Sequence, residues 1–94
     1  MNVGDIVLAL AGRDEERFFV VVGILDESYV LIADGKSRKA DSPKKKKIKH
    51  IQLVKPAGDG FAGSLYPNSV RDKKGGKFTN AVLRKIISEY LSGV

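Results

Sequence analysis

The chain has 94 residues, 43% of them apolar and 30% charged, with ten glycines, three prolines and neither cysteine nor tryptophan. That is enough for one compact domain with a modest core and too little for a two-lobed enzyme cleft, and the missing cysteines exclude a disulfide framework and a thiolate metal cage. The formal net charge of +6 is unevenly spread: residues 1–35 carry two basic and seven acidic side chains, whereas residues 36–55 carry nine basic and one acidic.

Residues 5–10 alternate weakly, with Ile6, Leu8 and Leu10 expected on one face and the smaller Val7 and Ala9 on the other, which reads as a strand. After the charged loop from Gly12 to Arg17, Phe18 to Leu25 is apolar on both faces, the pattern of a strand covered from two sides. Asp26-Glu27-Ser28 has turn composition and Tyr29 to Ala33 is again aromatic and β-branched, so residues 17–33 form a predicted hairpin. Asp34-Gly35 opens a polar connection whose basic stretch is Pro43 and the four lysines after it. Lys47 to Val54 reads as a fourth strand in which Ile48 is out of phase with Ile51 and Leu53, so a bulge is expected near Lys49 or His50.

Residues 56–78 hold two of the three prolines and five of the ten glycines without a sustained period, and are expected to be loop, with at most one short strand or turn around Ser64 to Tyr66. Leu83, Ile86, Ile87, Tyr90 and Leu91 recur at helical spacing. Thr79 suits the N-cap, Phe78 and Leu83 a hydrophobic staple, and Gly93 the C-terminal stop. A helix this short is marginal alone, and the doubly apolar strand needs a cover, so the two are expected to pack together. The expected fold is mostly β: a small antiparallel barrel with a C-terminal α-helix packed on it, in a single domain with core strands in residues 1–55, the Gly/Pro-rich loop in 56–78 and the helix in 79–92.

The strongest functional signal is the basic segment Lys36, Arg38, Lys39, Lys44, Lys45, Lys46, Lys47 and Lys49. Adjacent lysines repel one another, and only Asp41 within the run could pair with them. A phosphate backbone would neutralise them with release of counterions, so nucleic acid is the leading partner and a solvated loop the bland alternative. An anionic membrane surface is weaker, since the lysines lack an amphipathic helix with an inserting face. Lys73, Lys74 and Lys77, around a Gly-Gly tip, are auxiliary candidates for backbone contact. Among the aromatics, Phe18, Phe19, Tyr29 and Phe78 are expected mostly in the core, with Phe61 and Tyr66 the more exposed candidates for base stacking.

Catalytic and cofactor readings fall away in turn. His50 is the only histidine, so it can complete neither a triad nor a histidine zinc site, and reads as a partly buried strand residue or a phosphate contact. Gly58 to Gly63 matches G-x-G-x-x-G, but Pro67 stands where the following helix should run. Asp14, Glu15 and Glu16 form an acidic edge that would orient the protein by repelling phosphate. The chain is therefore expected to be non-enzymatic, with no metal and no cofactor. Its longest apolar run, Phe18 to Leu25, is well short of the roughly 20 residues that span a bilayer, so no leader, anchor or membrane partner is expected, and the absence of cysteine suits the cytoplasm.

Gly4-Asp5-Ile6-Val7, Gly12-Arg13-Asp14, Phe19 to Ile24, Tyr29 to Gly35 and the basic run ending Ile48-Lys49-His50-Ile51 together resemble the KOW-domain RNA-binding proteins. More narrowly they resemble bacterial relatives of the archaeal and eukaryotic large-subunit ribosomal protein family called fourteen-e, over about residues 3–54, with a similar C-terminal helix. The resemblance implies an SH3-like barrel, an RNA partner, ribosomal RNA in particular, and a role in translation or ribosome assembly. In such modules the loop between the first two strands often carries a basic residue followed by glycine. Here those positions read Glu15 and Glu16, which moves the expected contact to the run from Lys36 to Lys49 and His50, with Arg13 and Arg17 as auxiliaries. The competing expectation is a protein-interaction adaptor of SH3-like type in a transcription or translation complex, bound to other ribosomal or transcription proteins. In either case a monomer is expected when free.

Overall fold

The computed structural model describes residues 1–13, 15–56 and 79–92. Five strands form one antiparallel sheet: β1 (Ile6–Ala9), β2 (Phe18–Ile24), β3 (Tyr29–Ala33), β4 (Lys44–Lys47) and β5 (Ile51–Lys55), in the order β4-β3-β2-β1-β5. A single 3-10 turn, Ile48–His50, links β4 to β5, and the helix α1 (Asn80–Leu91) follows. The two edge strands are not paired with each other, so the sheet is barrel-like without closing. The fold is mostly β with one C-terminal helix, as expected.

The doubly apolar strand has its two covers. Phe19 and Val21 of β2 lie in one buried cluster with Val7, Ala9, Val30, Ile32 and Ile51, which draws residues from four strands and is the interior of the rolled sheet. Val20 faces the other way, with Ile6 and Ala33, and meets Leu83 and Ile86 of α1. Phe18 packs its ring on Tyr90 at 5.5 Å and an interplanar angle of 58°. Burying each large aliphatic side chain contributes about 1.5–3 kcal/mol, which is how a twelve-residue helix, marginal in isolation, is held. The Thr79 side chain accepts a hydrogen bond from the Val82 N–H at 3.1 Å, the predicted N-cap. Phe78, Gly93 and the whole of residues 57–78 lie outside the described residues.

Polar contacts fix where the helix docks. Gly35 has φ +81°, a left-handed conformation, and its carbonyl accepts from Arg84 Nη1 at 2.7 Å. Asn80 Oδ1 accepts from the Ala40 N–H at 2.7 Å. The Asp34 carboxylate holds the turn between them by accepting from the backbone N–H groups of Lys36 and Arg38, both at 2.9 Å, and from the Ser37 hydroxyl.

Three expectations about the strands need correction. The first strand, expected over residues 5–10 with Leu10 sharing a face with Ile6 and Leu8, ends at Ala9, and Leu10 lies beyond it, 45% exposed. The smaller residues Val7 and Ala9 face the interior, while Ile6 is covered by the helix. Second, Lys44, Lys45 and Lys46, expected in a connecting loop, join Lys47 in β4. Third, the phase break near His50 is a 3-10 turn that divides the expected fourth strand into β4 and β5, where a bulge was expected. A 3-10 turn has three residues per turn, so it brings Ile48 and Ile51, three apart, to the same side, and both pack on the interior cluster.

Candidate nucleic-acid interface

Four consecutive lysines have low strand propensity, yet β4 is an edge strand paired along its whole length to β3, from Tyr29 opposite Lys47 to Ile32 opposite Lys44. Lysine on an edge strand, including one turned inward, also discourages edge-to-edge aggregation. Strand alternation separates these lysines into two kinds. Lys45 and Lys47 stand on the outer face, with their ammonium groups 4.5 Å and 5.9 Å from the centre of the Tyr29 ring. Lys46 turns inward beside Val30, is 9% exposed, and its Nζ donates to the Ala11 carbonyl at 3.1 Å. It is thus a tether between β4 and the loop after β1, its aliphatic stem covered and its charge led out to a backbone oxygen.

Sequence reasoning grouped Lys46 with its neighbours because nothing in a run of identical residues marks which one points inward. Lys46→Met is expected to lower stability by about 1–2 kcal/mol, through the lost bond and the carbonyl left without it, in chemical denaturation. The salt dependence of any nucleic-acid binding should stay unchanged.

The other predicted site residues fall into separate places. Lys49, on the 3-10 turn, joins Lys47, Glu27, Ser28, Tyr29 and Ile48 around an open hollow of about 450 Å3. Its floor is stiffened at the β2–β3 turn, where the Asp26 carboxylate accepts from the N–H groups of Ser28 and Tyr29 at 2.7 Å and 2.8 Å. Those two bonds, with a smaller contribution from Lys45, hold the Asp26 carboxyl below its ordinary pKa. The Ile48 N–H donates to the Ser28 carbonyl at 2.8 Å and ties the two walls of the hollow together.

Arg17 and Lys36 meet at a second cleft, of about 530 Å3, at the junction of sheet and helix. Arg17 Nη1 donates to the Ser37 hydroxyl at 3.1 Å, which brings the β1–β2 loop against the β3–β4 connection. Arg84 of α1, absent from the sequence-based set, lines the same cleft. Its helical position opposite the apolar stripe signalled only exposure. Arg13 and Lys39 are exposed on their loops, while Arg38 and Lys44 are half-buried. His50 is half-buried at the end of the 3-10 turn, where its carbonyl accepts from the Leu10 N–H at 2.9 Å. Lys73, Lys74 and Lys77, like Phe61 and Tyr66, lie outside the described residues.

In the β1–β2 loop, Glu16 has φ +69°, the left-handed backbone that glycine adopts most readily, and its N–H donates to the Ala9 carbonyl at 2.8 Å. The loop thus keeps the geometry of a glycine-bearing turn with a carboxylate in the glycine's place. Relief of the left-handed strain exceeds the added freedom of the unfolded chain, so Glu16→Gly is expected to raise stability by about 0.5 kcal/mol, seen as a rise in Tm of roughly 2–4 °C.

Among the described residues no group of three or more histidine, aspartate and glutamate side chains is placed to hold a metal ion, and no helix is long and apolar enough to cross a membrane. The geometry defines a small barrel-like β protein with a lysine-bearing edge strand beside an accessible tyrosine. No family model matches the chain. It is similar to known proteins over part of its length: 36% identical across 52 residues to large ribosomal subunit protein eL14 of Staphylothermus marinus, which is 55% of this chain and 54% of that protein. It is 50% identical across 42 residues to the protein of Bacillus subtilis named "putative ribosome-binding protein YbzG", covering 45% of this chain and 57% of that one. The chain thus spans little more than half the length of these relatives, which agree with the resemblance to a ribosomal KOW-type family and are named for the ribosome and not for an enzymatic activity.

Proposed function

We propose that this protein is a non-catalytic RNA-binding module of the cytoplasm that associates with the ribosome by gripping the phosphate backbone of structured ribosomal RNA. The observation that carries this reading is the outward pair Lys45 and Lys47 on an edge strand, continued by Lys49 on the next turn. Ammonium groups projected from a rigid strand lose less freedom on binding than groups on a loop, and each phosphate they neutralise releases a counterion. Arg17, Lys36 and Arg84 supply a second cationic station at the helix junction. The exposed Glu15 and Glu16 repel phosphate from the β1–β2 loop and set the orientation. Such contacts position the protein by the shape of the RNA more than by base edges. The ribosomal names of the two relatives support the same partner.

The test is ultraviolet crosslinking in cells with sequencing of the attached RNA, alongside co-sedimentation with ribosomal particles at increasing salt. Crosslinks concentrated on one ribosomal RNA segment and a steep loss of co-sedimentation with salt are expected. Association that persists at high salt without RNA crosslinks would replace this reading with that of a protein-interaction adaptor.

A further inference from the structure

Building on the RNA-binding reading, we propose that the hollow beside Tyr29 receives one unpaired nucleotide of the bound RNA, its base stacked on the Tyr29 ring and its flanking phosphates on Lys47 and Lys49. The hollow of about 450 Å3 falls within the roughly 300–1,000 Å3 of sites that take a small ligand. Its walls come from the β2–β3 turn and the 3-10 turn, and the bond from the Ile48 N–H to the Ser28 carbonyl locks one to the other. The Asp26 cap fixes the backbone at Ser28 and Tyr29, so the ring stands on a rigid turn, preorganised as a stacking surface should be.

Among the described residues the cation nearest the ring is Lys45, with Nζ 4.5 Å from its centre. A cation over an aromatic ring at an exposed site is held weakly, and base stacking on the same ring is the stronger contact. A nucleotide can displace the ammonium from the ring while offering it a phosphate, so Lys45 exchanges one partner for another. Glu27 lines the hollow with Ser28 and repels phosphate from their side, which leaves the backbone to run along Lys47 and Lys49 and turns the base toward Tyr29. Paired bases cannot occupy this position, because an A-form duplex keeps them stacked on one another; a bulge or loop nucleotide can be splayed out to reach the ring.

The experiment compares two RNA hairpins of equal length, one fully paired and one carrying a single-nucleotide bulge, each titrated with the intact protein at two salt concentrations. The wild-type protein should bind the bulged hairpin about tenfold more tightly, and the Tyr29 ring proton resonances should shift upfield only with that RNA. Tyr29→Leu should abolish the tenfold preference while retaining salt-dependent binding to both hairpins, and Tyr29→Phe should restore it, with thermal melting verifying that both variants fold. Equal, salt-dependent binding of both hairpins that Tyr29→Leu leaves unchanged overturns this inference while leaving the RNA-binding reading in place. Absence of salt-dependent binding to either hairpin overturns the two together.

Discussion

Replacing Lys45, Lys47 and Lys49 together with glutamine should weaken RNA binding about 100-fold at 0.15 M salt. The size follows from counterion release: each phosphate contact contributes roughly 0.9 to the slope of log affinity against log salt, and at that salt three contacts are worth about two decades. The slope itself should fall by about 3 when affinity is measured across a salt series. Two of the three, Lys45 and Lys47, are on the outer face of β4 and all three are exposed, so the substitutions should leave the fold intact. Lys46→Met is the internal contrast, because its ammonium is already committed to the Ala11 carbonyl and its loss should register in stability rather than in the salt slope. A triple variant with wild-type affinity and slope would remove β4 from the interface and transfer the proposed contact to the cleft of Arg17, Lys36 and Arg84.

Gly35→Ala should cost about 3 kcal/mol, the largest loss expected from a change this small. A side chain at φ +81° is strained by about 1 kcal/mol. An added Cβ would also run into the backbone carbonyl oxygen of Asn80 and stand 3.0 Å from Arg84 Cγ. Backbone cannot yield there without moving α1, which would break the bonds from Arg84 to the Gly35 carbonyl and from the Ala40 N–H to Asn80, at about 1 kcal/mol each. The urea midpoint should drop accordingly, and amide exchange in α1 should accelerate more than exchange in β2 and β3. A loss below 1 kcal/mol would mean that the apolar stripe of Leu83 and Ile86 docks the helix without this turn.

The apolar patterning of this chain determined most of its architecture in advance. Phe18 to Leu25, apolar on both sides, called for a cover on each, and the spacing of Leu83, Ile86 and Tyr90 supplied one of them; burial of nonpolar surface leaves few other ways to satisfy both. The Asp26-Glu27-Ser28 turn and the Thr79 cap were equally plain, because a carboxylate or hydroxyl bonding nearby backbone is a local event that needs no tertiary partner. The charge imbalance located the basic segment on the same grounds, since composition alone sets net charge. What the individual lysines do was beyond local reasoning. Four lysines in a row carry no alternation, so their strand register came from pairing with β3, and that register turned Lys46 inward while Lys45 and Lys47 faced Tyr29. Likewise, only the fold set Gly35 against α1 and gathered Arg17, Lys36 and Arg84 at one cleft from three distant segments. Local propensity and burial are written residue by residue in the chain, whereas the neighbours of an exposed charge depend on contacts between segments remote in sequence.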